Sequence, residues 1–219
     1  MVLIDIKDAY FHIPVSSEFQ KYLQFRWKGS IYCFKGMPFG ISSAPRIFTK
    51  VMKVVLSKLR MKGIRIVSYI DDLLLMARSK EECYQHLWKT LTLLTELGWL
   101  INWEKSKLKP AQTQKFLGLI IDSYNMSFRI PRDKLRGLQK DIKETLQAGK
   151  RKEWITVRKF ARTIGKIMAV ELAVLPTCLK TWGLIKCKNQ SLSLGWEGKI
   201  QLAEQAVQDL ECLQPKETC

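Results

Sequence analysis

Histidine is nearly absent from this 219-residue chain: there are two, His12 and His86, neither beside a serine or cysteine at a telling spacing, so both read as structural or surface residues. Cysteine reaches six, but no Cys-x-x-Cys pair occurs. That argues against zinc ribbons and a secreted disulfide framework and leads us to expect reduced thiols in an intracellular protein, in the cytoplasm or nucleus. Apolar runs are short, none near the roughly 18 residues of a membrane span. Met1-Val2-Leu3-Ile4-Asp5 opens without the basic stretch, long apolar run and small-residue cleavage site of a secretory leader. A water-soluble protein with no membrane partner is expected. Acid is scarce as well, with 20 Asp+Glu against 37 Lys+Arg and a formal charge of +17. Disorder is excluded by the 47% of hydrophobic side chains, which suffice for one large domain or a domain with a satellite.

The positive charge is uneven. Residues 1–128 hold 19 basic and 10 acidic side chains, residues 129–167 hold 13 and 4, and the remainder holds 5 and 6. A segment this basic suggests a face that meets a polyanion, most commonly nucleic acid, although a solvated lysine-rich surface has the same composition.

Hydrophobic spacing predicts an α+β chain. Val2 to Ile6 reads as a buried strand, and Tyr22–Trp27 with Ile31–Phe34 reads as a hairpin around Lys28-Gly29-Ser30. Ser42-Ser43 and Pro45 open a helix whose apolar stripe runs from Ile47 to Leu59 and stops at Gly63. Residues 64–70 and 73–77 form a second hairpin joined by Asp71-Asp72. Ser79-Lys80-Glu81-Glu82 is a capping box for a helix ending at Gly98, and Phe116–Ile121 is a further strand. This order matches a split β-α-β, ferredoxin-like antiparallel sheet with helices on one face. Beyond residue 130 the period is helical. Leu135, Leu138, Ile142 and Leu146 mark one helix and Val157, Phe160, Ile164 and Ile167 another, whose opposite face carries Arg158, Lys159, Arg162 and Lys166. A last amphipathic stretch holds Ile200, Ala203, Ala206, Val207, Leu210 and Leu213. Trp154 and Trp182 sit in helical patterns and are assigned no role.

Asp71 and Asp72 are adjacent carboxylates between apolar strands, and Asp5 ends another such strand. Aspartates are common in hairpin loops, and turn chemistry alone would account for the pair. A third carboxylate on a neighbouring strand end changes the balance, because like charges converging beside a core need a cation. Two Mg²⁺ ions about 4 Å apart meet that need and suit an in-line phosphoryl displacement. Mg²⁺ tolerates few protein carboxylates, since waters and substrate phosphates complete its shell; Mn²⁺ is a possible substitute.

Asp5-Ile6-Lys7-Asp8-Ala9-Tyr10-Phe11, the segment Gly36 to Pro45, Tyr69-Ile70-Asp71-Asp72, Leu97-Gly98-Trp99 with Asn102 and Lys105, and Phe116-Leu117-Gly118 resemble, in order and spacing, the successive palm motifs of reverse transcriptases. Ile120-Ile121-Asp122-Ser123, Ile130-Pro131, Lys134-Leu135 and Ile164-Gly165-Lys166 further resemble the tyrosine-recombinase (DIRS-like) retrotransposons. The resemblance implies an RNA-directed DNA polymerase divided into a palm over 1–121, a basic helical thumb over 122–195 and a helical linker over 196–219. The palm would include part of a fingers hairpin at about 18–36 and a primer grip at 116–121.

Carried over by position, Asp5, Asp71 and Asp72 are the catalytic and metal-binding aspartates, with the Ile6 backbone as a further ligand. Asp8 and Ala9 offer backbone to the triphosphate, and Tyr10 is the gate against a 2′-hydroxyl, though core packing would also explain an aromatic there. Phe39 and Gly40 pack on the incoming nucleotide, with Phe39 standing where retroviral enzymes place a glutamine. Lys105 matches a lysine that protonates the leaving pyrophosphate, a solvated strand-edge lysine being the plain alternative. Gly36, Met37, Pro38, Tyr69, Phe116, Leu117 and Gly118, together with Arg158, Lys159, Arg162 and Lys166, are implied contacts to primer and template. The implied partners are an RNA or DNA template with its primer duplex and deoxynucleoside triphosphates. In the family a fingers region precedes the first aspartate and a ribonuclease H domain follows the thumb, so a segment of a larger polyprotein is expected. The competing expectations are a catalytically silent nucleic-acid-binding remnant and a ribonuclease H or integrase-like nuclease; the adjacent pair and Tyr10 after Asp5 disfavour the latter.

Overall fold

The computed structural model describes residues 1–173 and 181–213; residues 174–180 of the expected thumb and 214–219 of the expected linker lie outside the described residues. The chain divides into two compact units, Met1–Leu117 and Gly118–Cys219, so the division falls inside the expected primer grip rather than after residue 121.

The first unit is built on β1 (Val2–Asp5), a 3-10 turn (Ala9–His12) and the single turn α1 (Ser17–Gln20). An exposed hairpin of β2 (Gln24–Trp27) and β3 (Ser30–Cys33) follows. Its two loop residues, Lys28 (φ 47°) and Gly29 (φ 83°), both take the left-handed conformation that matches strand twist. The long helix α2 (Ala44–Met61) has Pro45 in its first turn and buries Phe48, Met52, Val55, Leu56 and Leu59 at helical spacing. Gly63, at φ 78°, ends the segment.

Next come β4 (Arg65–Tyr69), β5 (Asp72–Met76) and α3 (Lys80–Glu96). The expected capping box forms. Ser79 Oγ accepts from the Glu82 N–H at 3.1 Å, and the Glu82 carboxylate accepts from the Ser79 N–H and also from the Arg78 N–H, the latter at 2.6 Å.

β5 is the central strand of a three-stranded antiparallel sheet, flanked by β1 and β4. Alternation sends Val2, Ile4, Ile66, Leu73 and Leu75 into one core with α2 and α3. The same alternation sends Leu3, Asp5, Val67, Tyr69, Asp72 and Leu74 to the other face. Among the described residues no regular strand pairs with the outer edge of β1; residues 101–107 run along it through single bridges, Leu3 with Lys107 and Ile6 with Ile101.

Two sequence expectations need correction here. Asp72 lies in β5, paired with Tyr69, so the hairpin loop is Ile70-Asp71 rather than Asp71-Asp72. The expected strand 116–121 is two strands, β6 (Thr113–Phe116) and β7 (Leu119–Asp122), separated by Leu117 (φ 47°) and Gly118 (φ 77°). Two successive positive φ angles cannot continue a strand.

In the second unit β7 pairs antiparallel with β8 (Ser127–Arg129). The buried Asp122 carboxylate organises their connection. It accepts from the Tyr124 and Asn125 N–H groups at 3.1 Å, the Asn125 side chain at 3.0 Å and Arg129 at 3.0 Å. These bonds, those of Asn125 foremost, hold its carboxyl below the usual carboxylate range.

Among the described residues four α-helices follow. α4 (Arg132–Lys150) contributes Leu138, Ile142 and Leu146 to a second core, joined by Phe160, Ile164 and Ile167 of α5 (Val157–Met168). α6 (Trp182–Ser191) and α7 (Glu204–Leu213) complete it with Leu184, Cys187, Ala206 and Leu210. Thr156 caps α5 by accepting from the Lys159 N–H, and a short antiparallel pair links β9 (Ile155–Thr156) to β10 (Lys199–Ile200). Within the stretch expected as a helical linker, Ala206 and Leu210 of α7 are fully buried, and Ile200 belongs to β10 rather than a helix. Among the described residues no helix is long and apolar enough to cross a membrane.

Candidate active site

Antiparallel pairing puts Asp5 of β1 directly opposite Asp72 of β5, so both carboxylates leave the sheet on the face away from α2 and α3. Asp71 lies next to them in the two-residue loop, held where its carbonyl accepts the Ile6 N–H at 3.0 Å. Ile70, the other loop residue, has φ 52°. A β-branched side chain in that region carries backbone strain of about 1–3 kcal/mol, sustained here by the paired strands on either side.

The three aspartates act on one another. Burial is the largest influence raising the Asp72 carboxyl above its ordinary value; Asp71 and then Asp5 add to it, and Lys105 opposes it. Burial also dominates at Asp5, where Lys105 pulls the other way, Asp71 raises and a hydrogen bond from Asn102 lowers, with a net upward shift. Repulsion is thus only partly relieved by the protein's own groups. Among the described residues no set of three or more His, Cys, Asp or Glu side chains is grouped as a metal cage. The three carboxylates are hard oxygen donors, a chemistry compatible with a cation such as Mg²⁺ that completes its shell with waters and substrate oxygens.

Tyr10 is buried beside this cluster, its ring packed on Phe39 (centroids 5.1 Å) and edge-on to Phe48 (5.6 Å). Burial, then the fields of Asp71 and Tyr69, push its hydroxyl up. Its ring belongs to the core, and its hydroxyl lies within the field of Asp71. Asp8, at φ 51°, starts the turn that carries Ala9 and Tyr10, and its carbonyl accepts the Phe11 N–H.

Of the loop 36–40, Met37 and Pro38 are buried and only Phe39 (64% exposed) and Gly40 (φ 95°) stand open to solvent. Met37 packs in the core, and its N–H is held by the Ile13 carbonyl at 2.9 Å. A Cβ on Gly36 would sit 2.4 Å from the Phe11 carbonyl oxygen. The Ile6 side chain is equally buried, leaving only its backbone for the site. Tyr69 is exposed on the aspartate face and Lys105 is exposed at its edge; Phe116 is buried and Leu117 half exposed.

Residues 1–121 match the family described as reverse transcriptase (RNA-dependent DNA polymerase). The chain belongs to the reverse transcriptase family. It is 32% identical over 134 residues to the Gag-Pro-Pol polyprotein of human T-cell leukemia virus 2, and 31% identical over 115 residues to the Tf2-3 transposon polyprotein of Schizosaccharomyces pombe. Those alignments take in 57% and 52% of this chain but only 9% and 8% of the polyproteins. The foamy viral protease-reverse transcriptase in complex with an RNA/DNA hybrid superposes with TM-score 0.72 at 19% identity, covering 97% of this chain and 26% of that one. Its complex with double-stranded DNA gives 0.71 at 18%, covering 97% and 40%. At such identity the superpositions establish the fold: an α+β polymerase architecture of antiparallel sheets and helices.

In this reverse transcriptase segment the basic helix α5 is less open than its composition suggests. Arg158 pairs with Glu197 at 2.7 Å, Lys159 with Glu144 at 3.2 Å and Lys166 with Asp141, whereas Arg162 forms no ion pair among the described residues. Two residues escaped sequence reasoning, Asn102 as the partner of Asp5 and Ser106, whose Oγ accepts the Asp5 N–H at 2.9 Å. The available signal was Asn102 three residues before Lys105, the spacing of an Asx-type turn.

Proposed function

We propose that this chain is the palm and thumb of an RNA-directed DNA polymerase from a retrotransposon polyprotein, of the DIRS-like type, extending a primer 3′-hydroxyl with deoxynucleotides. The observation that carries the reading is the convergence of Asp5, Asp71 and Asp72 on the sheet face opposite the core that holds α2 and α3, with Tyr10 alongside. Asp5 and Asp71, with Asp72 and the Ile6 backbone, would hold two Mg²⁺ ions (or Mn²⁺), which when bound supply Lewis acidity at the attacking and leaving oxygens.

The remaining work falls to the chain. Tyr10, braced by Phe48 and Phe39, presents a rigid surface with no room for a 2′-hydroxyl and so favours deoxynucleotides. Phe39 and Gly40 offer a flat, open surface to the nascent base pair, with the backbone of Asp8 and Ala9 turned to the triphosphate. The Lys105 ammonium, whose field reaches Asp5 and Asp72, would meet the pyrophosphate and give it a proton. Phe116, Leu117 and Gly118 serve as the primer grip. Arg158, Lys159, Arg162 and Lys166 contact the duplex backbone without reading sequence, three of them by exchanging a carboxylate for a phosphate. The parent polyprotein would supply fingers that surround the β- and γ-phosphates with cations and a ribonuclease H domain downstream.

The test is single-nucleotide incorporation on a primed RNA template by residues 1–219, by the chain with upstream fingers supplied, and by that longer chain carrying Asp71→Asn. Weak extension by the short chain, robust extension by the long one and loss of roughly a thousandfold on Asp71→Asn are expected. An inactive long chain would favour a silent nucleic-acid-binding remnant.

A further inference from the structure

Between its two bridges to the neighbouring segment, β1 contributes two residues, Ile4 and Asp5, and the segment contributes five, 102–106. This is an exaggerated bulge, the device by which a sheet edge re-aims a side chain near a site. Its hydrogen bonds tie Asp5, Asn102 and Ser106 into one closed set. The Asn102 N–H donates to the Asp5 carbonyl at 2.9 Å, the Asp5 N–H donates to Ser106 Oγ at 2.9 Å, and the Ser106 N–H donates to the Asn102 carbonyl at 3.0 Å.

The Asn102 amide is itself oriented. Its Oδ1 accepts the Lys105 N–H at 3.3 Å, which leaves the NH₂ end as the donor that reaches the Asp5 carboxylate. Main chain and side chain of Asp5 are therefore held from the same five-residue turn, and the turn also carries Lys105. Plain edge pairing would satisfy the Asp5 backbone without a side-chain hydroxyl and would leave its carboxylate free to rotate.

Resting on the polymerase reading above, we propose that Asn102 and Ser106 are positioning residues: they fix the rotamer and height of the Asp5 carboxylate so that it meets a divalent cation without rearranging. Groups that orient metal-binding carboxylates change metal affinity by about 10- to 100-fold when removed. The inference reaches metal binding by this chain itself, so it can be read without turnover.

Mn²⁺ binding to residues 1–219, followed by the loss of the free-ion electron paramagnetic resonance signal, provides the readout. Asn102→Ala and Ser106→Ala should each weaken binding by roughly tenfold, at the low end of that range. Ser106→Thr, which keeps the hydroxyl, should bind like the wild type. Thermal melts check that the variants fold; should Ser106→Ala not fold, Asn102→Ala against Ser106→Thr carries the same comparison. Wild-type affinity in both alanine variants would overturn the positioning role while leaving the metal site standing. Wild-type binding no tighter than that of Asp71→Asn would remove the metal site, and the positioning role with it.

Discussion

In the first unit Asp5, Asp71 and Asp72 are gathered with Lys105 as the cation whose field reaches two of them, whereas in the second Arg158, Lys159, Lys166 and Lys150 each meet a carboxylate. Helical surface that holds its charges in pairs is content without a ligand, and each exposed pair contributes only about 0.2–1 kcal/mol, little enough to open when a phosphate arrives. The aspartate face has no such resting arrangement. Its like charges are tolerated because the sheet fixes the strands that carry them. One unit balances these charges within itself; the other keeps carboxylates whose mutual repulsion Lys105 only partly opposes.

The contrast breaks most visibly in activity. In the chain with fingers supplied, Asp71→Asn should abolish incorporation by roughly a thousandfold, while Asp141→Asn, which removes an equal charge from the second unit, should leave the rate at saturating primer–template within about twofold of wild type. Equal losses would mean that the two acidic groups do not differ in kind.

Smaller, but sharper about the helices, is the salt dependence of duplex binding. Asp141→Asn with Glu144→Gln frees Lys166 and Lys159 from their partners and should change the log–log slope by up to about 0.9 per cation that newly meets a phosphate. Changing Arg158, Lys159, Arg162 and Lys166 to Gln together should flatten the slope. An unchanged slope in that fourfold variant would mark the face as merely solvated.

The smallest effect expected is on stability without metal. Asp5 and Asp72 have carboxyls held above their ordinary values, so folding takes up protons between the unfolded value near pH 4 and the raised folded value. Their contribution to stability is therefore best at low pH and declines as pH climbs through that window. Asp72→Asn should raise Tm by about 2 °C at pH 7, and the difference should vanish below about pH 3.5. Calorimetry at the two pH values checks this, and added Mg²⁺ should raise the wild-type Tm and not the variant's to the same degree.

Much of this was legible from residue order. Helical spacing located α2, α3, α4 and α5, and the fall of Asp5 at a strand end already suggested that it would join Asp71 and Asp72. The loop of the second hairpin was misread because rules for two-residue turns expect Gly or Asn at a left-handed position, and Ile70 sits there instead. Long-range pairing of Tyr69 with Asp72 overrode the local preference. The break at Leu117-Gly118 was hidden among apolar neighbours for a similar reason. The partners of the α5 cations could not be read at all, since Glu144 and Glu197 are distant in sequence and reach the helix only through packing. The bulge that carries Asn102 and Ser106 has no periodicity to detect.

Gly36 shows how much can hang on an atom that is not there. The Phe11 carbonyl lies 2.4 Å from where its Cβ would be, and Phe11 follows Tyr10 in the same 3-10 turn. A single methyl at position 36 would act as a wedge between two stretches of main chain that have nothing soft to yield. On the proposed reading, the ring assigned to screening sugars would then be moved by a residue outside the sugar's reach. Sugar selectivity would in that sense be a tolerance in the machining of the backbone, and alanine at position 36 is the smallest shim that would spoil it.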